Sequence, residues 1–288
     1  MSIPYNNPHP LKPAETYSEW SAAAPMKDRV RSWTRDIAIR GLAMGRRIER
    51  TNNWIRFPYY HHIFEDERRG FSGQLEYLKG FGDFIGLDAA AAMVAGGEAI
   101  DGRYFCVTFD DGFKSCMAGA VPILNAQNVP AAFYVVTSLV GKSFDPDDPI
   151  ARDAFGFKGI DTSLEFLSWD DCRAMVAAGM TIGSHAENHH RLSGLTDNDA
   201  AGEMARSKSA IEQETGSTCL HFCAPYGIPN RDFDTQRHGD LAKEAGYLSF
   251  ATGVRGPTRG GADPYALKRD QLLANWGAHQ LKYFLSSE

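Results

Sequence analysis

The 288-residue sequence is poor in cysteine, and its cysteines follow no recognisable pattern. They number five, which is odd, and include no C-x-x-C pair. Several lie in apolar runs, as Cys106 does between Phe105 and Val107, and such surroundings are typical of buried free thiols. The sequence therefore predicts no disulfide framework and favours a reducing compartment.

Long apolar runs are also missing. No stretch reaches the roughly 18 consecutive apolar residues that a transmembrane helix needs. Residues 1–24 are mostly polar, contain several prolines and lack the apolar core of a signal peptide. We therefore expect no membrane-spanning segment and a cytoplasmic location. A position at the inner face of the membrane is compatible with this expectation.

An excess of basic residues is absent as well, since 30 Lys and Arg stand against 36 Asp and Glu, a net charge of −6. This balance argues against a nucleic-acid partner, because phosphate binding requires clustered positive charge. Only residues 26–50 are basic, with eight Lys and Arg against three acidic residues. Apolar residues recur there at helical spacing: Val30, Trp33, Ile37, Met44 and Ile48. The pattern predicts an amphipathic helix, which either packs on the rest of the chain, as we favour, or rests on an anionic membrane surface.

What the sequence does contain is a regular alternation of strand-like and helix-like segments from about residue 56 onward. The predicted strands are 56–63, 104–109, 131–136, 180–184, 219–224, 247–251 and 265–269. The predicted helices are 71–81, 88–94 with Asp88 as its N-cap, a stretch that ends near 126, a helix within 164–178, 197–215, 240–245 and a closing helix. This alternation predicts an α/β fold with a parallel sheet, and six or seven such units suit a closed or nearly closed barrel. The chain divides into an N-terminal arm and helix, 1–50, and a barrel domain, 51–288.

Residues 138–163 interrupt this alternation and are too long for a plain connection between two elements. The segment contains the acidic residues Asp145, Asp147 and Asp148. Loops of this length are usually functional lids or poorly structured segments. A role in substrate selection and a solvated surface loop are both open, and the second is favoured.

Two adjacent carboxylates, Asp110 and Asp111, follow the predicted strand 104–109 within the segment T-F-D-D-G. Consecutive strand residues point to opposite faces, so both acids reach one site only if the strand ends at this pair. In a metal site, one carboxylate binds the ion while another takes a proton from water. The alternative is an acidic helix cap.

Two histidines, His185 and His189, follow another predicted strand end in the segment G-S-H-A-E-N-H. Histidines four residues apart can direct their imidazoles at a common point, a spacing that metal sites use. The alternative is a pair of surface histidines. Together with the acid pair they predict a metal held by two His and one Asp, with a position left open for water, as in catalytic sites.

A P-Y-G turn at residues 225–227 follows the predicted strand 219–224. Proline, an aromatic residue and glycine fix a turn that can direct a backbone N–H into the site, where it would stabilise a developing oxyanion. An isolated turn of this kind has little specificity.

In this order, the three segments resemble the motifs of carbohydrate esterase family 4, the polysaccharide deacetylases, over about residues 56–271. The resemblance implies a distorted (β/α)7 barrel, here with an N-terminal helical extension. It further implies that Asp110 is the general base and that Tyr226 gives its backbone N–H to the oxyanion. Zinc or a similar divalent ion would be bound by three ligands: Asp111, His185 and His189.

Two positions depart from the family pattern. Many members carry a base-orienting Arg where this chain has Cys223, and members usually protonate the leaving amine with a late His that segment 266–270 lacks. The exopolysaccharide subgroup has a small residue at the first position and places its acid in an early Tyr-His element. Tyr60-His61 is similar to that element, so the resemblance assigns His61 as the general acid, the alternative being a core histidine. His62 should point to the opposite face.

These features predict a metal-dependent hydrolase that removes N-acetyl groups from an amino-sugar glycan or glycan precursor. The expected partner is an N-acetylated sugar, and the expected cofactor is one divalent ion, with Zn²⁺ preferred. The alternatives are hydrolysis of another C–N amide, such as deformylation of a lipid-linked amino sugar or opening of a ureide, and a non-catalytic glycan-binding protein on the same fold.

Overall fold

Short strands and the helices between them form the fold. The structure is a computed structural model that describes residues 11–97 and 99–286. For residues 26–33 it describes the backbone only. The strands are β1 Lys12–Pro13, β2 Trp54–Arg56, β3 Pro58–Tyr60, β4 Asp83–Phe84, β5 Arg103–Phe105, β6 Val107–Phe109, β7 Ala131–Val135, β8 Ser143–Phe144, β9 Thr162–Glu165, β10 Thr181–Ser184, β11 His221–Cys223, β12 Ser249–Ala251 and β13 Asp270–Gln271. The helices are α1 Tyr17–Trp20, α2 Met26–Leu42, α3 Arg68–Lys79, α4 Leu87–Ala95, α5 Ser115–Gly119, α6 Val121–Gln127, α7 Trp169–Ala177, α8 Asp197–Thr215, α9 Thr235–Glu244 and α10 Ala278–Leu285.

Seven strands form the main sheet in the order β12-β11-β10-β7-β6-β3-β13, and every pair in it is parallel. Residues 267–272 connect its two edges. Leu267 N–H donates to the Phe250 carbonyl at 3.0 Å on one side, and Asp270 N–H donates to the Phe57 carbonyl at 2.8 Å on the other. The sheet is therefore curled into a distorted (β/α)7 barrel, and the predicted fold is confirmed.

Two predicted strands are each divided between two sheets. Segment 56–63 falls into β2 and β3, and segment 104–109 into β5 and β6, since β2 and β5 belong to a separate sheet in the order β2-β5-β4. The prediction of a last strand at 265–269 is displaced, because Pro264–Ala266 is a 3₁₀ turn and the strand is β13. The predicted cap of α4 is wrong: Gly86 is its N-cap, and Asp88 lies in the first turn.

The N-terminal arm and the long loop are structured together beside the barrel. Strand β1 pairs in parallel with β9, which pairs antiparallel with β8 inside the loop. Trp20 of α1 then packs on His62, Phe113 and Phe157, with ring centroids 4.0, 5.8 and 5.0 Å away. Arm residues 11–25 are therefore attached to the wall of the barrel that carries the loop.

Helix α2 is present, but the face that it buries differs from the predicted one. Ile39 and the adjoining Ala43 are buried, whereas Ile37 and Met44 are 51% and 81% exposed. The predicted packing of Ile37 is therefore wrong, and the side chains of Val30 and Trp33 lie outside the described residues. Within the described part of the chain, no helix is both long and apolar enough to cross a bilayer.

Candidate active site

The predicted site residues all follow the carboxyl ends of neighbouring strands. Asp110 and Asp111 come after β6, His185 comes directly after β10, and Tyr226 lies three residues beyond β11. Because β6, β7, β10 and β11 are consecutive parallel neighbours, these ends meet at one rim of the barrel, where barrel enzymes place their catalytic groups.

The backbone at this rim adopts left-handed conformations that non-glycine residues seldom take. Asp111, His189 and Tyr226 have φ angles of 69°, 57° and 62°. Gly112 follows with φ of 77°, and a Cβ atom added there would lie 3.1 Å from a Val135 methyl carbon. Residues held in sparsely populated conformations cluster at functional sites. Here the turn after β6 lets two adjacent carboxylates face one site.

Asp111, His185 and His189 converge into a buried group whose ligand atoms lie within 4.8 Å of one another. The Oδ1 atom of Asp111 is 3.3 Å from Nε2 of His185 and 3.3 Å from Nε2 of His189. This arrangement has the donor types and number of a catalytic zinc site, which leaves a further position for water or substrate.

The hydrogen bonding of His185 fits a cation at this point. Its Nδ1 lies 2.9 Å from the Cys223 carbonyl oxygen, which can only accept, so Nδ1 carries the proton. In the neutral ring, Nε2 then presents a lone pair to the Asp111 carboxylate, and two acceptors face each other. Such a pair requires a proton or a metal ion between them. An Nδ1–H bond to a carbonyl is also how metal-ligating histidines are usually oriented.

The pKa values of the three side chains reflect the same need for positive charge. Burial alone would raise the pKa of Asp111, but hydrogen bonds from His185 and His189 hold it well below its usual range. Burial alone would lower the pKa of His185, but the surrounding acidic groups, Cys223 and the two aspartates, raise it well above its usual range. Burial lowers the pKa of His189, which favours the neutral, ligating form of its ring.

Asp110 is held by a residue that sequence reasoning did not identify, Arg269. Nη1 and Nη2 of Arg269 donate to the two Asp110 carboxylate oxygens at 2.6 and 2.7 Å, and Nη2 lies 3.0 Å from Cys223 Sγ. Arg269 is 2% exposed. Burial would raise the pKa of Asp110, but the charge and hydrogen bonds of Arg269 outweigh burial and hold the pKa below its ordinary value.

The signal for Arg269 was present in two places. The sequence lacks an Arg at position 223, and it has an Arg in the late segment 266–270. The small Cys223 side chain leaves the space that the Arg269 guanidinium occupies, and the Nε atom of Arg269 donates to the Thr252 carbonyl at 2.9 Å. The cation that pairs with Asp110 therefore comes from the segment before β13 and not from position 223 at the end of β11.

His61 and His62 point in different directions, as the strand alternation predicted. Nε2 of His61 lies 3.9 Å from Asp111 Oδ2, and the side chain is partly exposed in the site. The His62 ring instead stacks on Phe113 and Phe64 at 3.9 and 4.8 Å, and burial lowers its pKa well below the usual value.

Tyr226 follows Pro225 in the P-Y-G turn and lines the same cavity as His61. Among the described residues, no protein atom accepts a hydrogen bond from its backbone N–H, so this donor is free for a ligand. Its ring lies 4.7 Å from that of His189, and the Arg191 guanidinium lies 3.8 Å from the Tyr226 ring centroid. The Tyr226 ring therefore packs against a candidate metal ligand.

The cavity at this rim, which we call the metal-site cavity, has a volume of about 160 Å³. It is lined by Tyr59, His61, Asp110, Asp111, Ala154, Phe155, His185, His189, Ala224, Tyr226 and Arg269. Phe155, from loop 138–163, lies 5.0 Å from the His189 ring. The loop therefore reaches the site through Ala154 and Phe155, and none of its acidic residues 145–148 lines the cavity.

Comparisons with known proteins agree with this arrangement. Residues 98–248 match the family model described as polysaccharide deacetylase. A protein of Bacillus subtilis (strain 168), YxkH, which is named for the same activity, is 26% identical over 163 residues. The match covers 57% of this chain and 49% of YxkH, so the chain spans about half the length of the curated relative that it matches.

Solved structures share the fold at low sequence identity. IcaB from Ammonifex degensii superposes with a TM-score of 0.65 at 22% identity, over 82% of this chain and 98% of IcaB. The deacetylase PplD from Streptococcus pyogenes, solved in complex with acetate, superposes with a TM-score of 0.64 at 20% identity, over 81% of this chain and 99% of PplD. The deacetylase domain of BpsB from Bordetella bronchiseptica superposes with a TM-score of 0.59 at 21% identity, over 76% of this chain and 96% of that domain.

Proposed function

Because the chain belongs to the polysaccharide deacetylase family, to which residues 98–248 match, we propose that it hydrolyses the N-acetyl amide of an amino sugar in a glycan or glycan precursor. The products are acetate and a free amine. One observation carries the proposal: three metal-type ligands and a separately oriented carboxylate, Asp110, face the same cavity. The solved structure of the deacetylase PplD contains acetate, the product expected of this chain.

The proposed metal ligands are Asp111, His185 and His189. When a divalent ion such as Zn²⁺ is bound there, it supplies Lewis acidity, which lowers the pKa of a water and polarises a carbonyl oxygen. The ligands are buried, and His185 is oriented by the Cys223 carbonyl. Ligands whose orientation is fixed in this way would hold the ion in a constant position relative to the surrounding groups.

Asp110 is the proposed general base. Its two oxygens are fixed by Arg269, so the carboxylate stays ionised and aligned while one lone pair accepts the proton of the attacking water. Arg269 acts as a positioning residue, because its guanidinium contacts the base and stands behind it. A bidentate pair restricts the rotation of both side chains, which preserves the approach of the base to the water.

Tyr226 and His61 are proposed to act on the substrate as its acetyl group is removed. The backbone N–H of Tyr226 is free to donate to the oxyanion that forms on the former carbonyl oxygen. His61 lies on the other side of Asp111, near Oδ2, where an imidazolium can donate its proton to the departing amine. The C–N bond then breaks with the amine as a neutral leaving group.

An acetate-release assay on N-acetylhexosamines and their oligomers tests this function. We expect acetate from the wild-type protein, loss of activity after treatment with a chelator, and recovery when Zn²⁺ is restored. Asp110→Asn should lower turnover by roughly 10²-fold or more while metal content stays unchanged. Asn188→Ala, which alters a neighbouring side chain outside the cavity, serves as the control.

The same assay separates the alternatives. When N-formyl amino sugars and ureides are assayed in parallel, formate or a ureide-derived amine from these substrates, without acetate from the N-acetylhexosamines, would indicate another C–N amide substrate. Sugar binding without any product would indicate a glycan-binding protein. An Asp110→Asn variant that keeps most of its turnover would contradict the role of Asp110 as base.

A further inference from the structure

The outward side of helix α2 is apolar, although it faces solvent. Among the described residues, nine large apolar side chains are exposed, and three of them lie between positions 37 and 44: Ile37 at 51%, Leu42 at 55% and Met44 at 81%. We call these three side chains the outer cluster. Single exposed apolar residues are normal on a protein surface, whereas clustered ones mark an interaction site. The outer cluster therefore indicates a surface that binds a partner.

Helix α2 packs on the barrel domain through a different side. Ile39 and Ala43, one helical turn apart, are both buried, and Asp36 Oδ1 lies 2.7 Å from His279 Nε2 in α10. These contacts hold the helix in place and leave the outer cluster exposed. The packing that the sequence favoured is thus compatible with a second contact, because different sides of the helix make the two.

The exposed residues around the outer cluster are basic or uncharged. A helix side that meets only water normally carries polar and charged residues of both signs. Asp36, the acid of this stretch, is partly buried and also accepts a hydrogen bond from Arg40 Nε at 2.9 Å. Between positions 34 and 45, the exposed residues include no acid and are Thr34, Arg35, Ile37, Ala38, Arg40, Gly41, Leu42, Met44 and Gly45.

Three arginines near the outer cluster carry positive charge that the described residues do not neutralise. Arg35, Arg47 and Arg50 are exposed, and no carboxylate in the described part of the chain forms an ion pair with any of them. Glu49 is the exposed acid between the last two. Residues 26–50 hold eight Lys and Arg against three acidic residues in a chain of net charge −6. Positive charge is therefore concentrated in the segment that carries the outer cluster.

Apolar area and basic charge together select the partner. Helices that lie on membranes combine an apolar side with Lys and Arg, since the apolar side chains enter the boundary of the acyl chains while the cations attract anionic headgroups. Nucleic acid attracts the same basic charge, but its phosphates make no use of exposed Ile, Leu or Met side chains. The combination therefore favours an anionic lipid surface.

We propose that the outward side of α2, together with the residues that follow it up to Arg50, binds the surface of an anionic lipid bilayer. The outer cluster enters the boundary between headgroups and acyl chains, and the exposed arginines contact the headgroups. The contact is peripheral and reversible, because three apolar side chains partition weakly and salt screens the attraction of the arginines. This inference does not depend on the proposed function.

Sedimentation of the intact protein with lipid vesicles tests the proposal. Binding to phosphatidylcholine vesicles that contain about one third phosphatidylglycerol should be at least about tenfold tighter than binding to pure phosphatidylcholine, at about 0.1 M salt. Raising the salt to about 1 M should remove most of this binding, because the Debye length falls from about 10 Å to about 3 Å.

Two double variants separate the apolar and the charged contributions. Ile37→Ser/Met44→Ser should lower the partition coefficient by about tenfold or more, because two apolar side chains no longer enter the bilayer. Arg47→Gln/Arg50→Gln should lower it by about tenfold or more on the anionic vesicles and weaken its dependence on salt.

Matched control variants change the same kinds of side chain elsewhere on the surface. Ile160→Ser/Leu248→Ser removes two apolar residues that are 57% and 52% exposed, and Lys142→Gln/Lys243→Gln removes two exposed cations. Both should bind vesicles as wild type does. Because every substituted side chain is exposed, thermal unfolding of all four variants should match wild type, and the proposed acetate release from soluble N-acetylhexosamines should be unchanged.

Four results would overturn the proposal. The first is binding to neither kind of vesicle, and the second is equal binding to both kinds at either salt concentration. The third is an equal loss of binding in the control variants, which would place the contact elsewhere. The fourth is self-association of the wild type, measured by analytical ultracentrifugation without lipid, that Ile37→Ser/Met44→Ser abolishes while vesicle binding stays unchanged. That result would assign the outer cluster to a second copy of the chain.

Discussion

At the scale of single residues, the pairing of Asp110 with Arg269 shows how a buried carboxylate can obtain its cation from a distant part of the chain. The carboxylate needs a cation beside it, since a buried charge without a partner is costly. With Cys223 at the position where many family members carry Arg, space remains for a guanidinium from elsewhere, and Arg269 enters it from the segment that precedes β13. Asp110 requires a positive charge beside its carboxylate, and a side chain at position 223 or at position 269 can supply it.

Arg269→Met should lower kcat by roughly 10²-fold or more, because Asp110 loses its alignment, and should destabilise the fold by roughly 3–5 kcal/mol, because a buried charge is left unpaired. Arg269→Lys should recover only part of the activity, since one ammonium cannot reproduce a two-point contact. Steady-state kinetics and urea unfolding measure these effects. The double variant Asp110→Asn/Arg269→Met should regain much of the stability, and a double variant as unstable as Arg269→Met would argue against this account.

Glu67 should make the stability of the protein depend on pH. Its pKa in the folded chain is about 7, against 4.5 for an unperturbed Glu, so between these values the folded state binds more protons than the unfolded state. The stabilisation that the protonated Glu67 gives to the folded state is therefore fully present below about pH 4.5 and is lost as the pH rises through 7. The free energy of unfolding changes by an amount on the order of 3 kcal/mol. Urea unfolding from pH 5 to 8 should show Glu67→Gln matching wild type at the low end and exceeding it at the high end. A constant difference across this range would contradict the assignment.

At the scale of elements, the carboxyl ends of parallel strands could be located from apolar runs and the polar residues after them. That is why the sequence predicted that Asp110, Asp111, His185 and Tyr226 would meet. The breaks between β2 and β3 and between β5 and β6 could not be predicted, because the residues at the breaks, Phe57 and Cys106, are themselves apolar and buried. The attachment of the N-terminal arm escaped prediction too, since β1 spans only two residues, one of them a proline, and its pairing with β9 leaves no local pattern.

The loop between β7 and α7 should influence metal retention through Phe155, whose ring packs on His189. Phe155→Ala removes that contact and gives His189 more freedom, so the affinity for Zn²⁺ should fall about tenfold or more, as for other groups that orient metal ligands. Competition with a chromophoric chelator measures the affinity. Phe144→Ala, in the same loop but without a ring contact to His189 among the described residues, should leave it unchanged. Equal effects of both substitutions would mean that the loss of Zn²⁺ affinity comes from disturbing the loop as a whole.

At the scale of the whole molecule, the barrel unites residues from distant parts of the chain. The fold class was predictable because strand and helix alternate. The position of Arg269 was not, because it depends on how residues 267–272 pair with the strands at both edges, which no local pattern encodes. The same pairing brings residues 270–272 beside β3 and thus sets Arg269 next to β6.

Metal binding should stabilise the whole fold, because its three ligands follow two separate strands. A ligand that binds only the folded state adds about 4 kcal/mol when present at 1,000 times its dissociation constant. Chelator-treated protein should therefore show a higher melting temperature when Zn²⁺ is added, and His189→Ala should abolish most of the increase. His190→Ala, which alters the neighbouring exposed histidine, is the control. An unchanged increase in His189→Ala would place the ion elsewhere.

The segment that joins the two edges of the barrel also carries Arg269, the partner of the proposed base. Arg269 follows all three proposed metal ligands in the sequence, so these ligands leave the ribosome before it during translation. We therefore expect a nascent chain that stops short of Arg269 to lack an aligned base even where its proposed metal ligands are present.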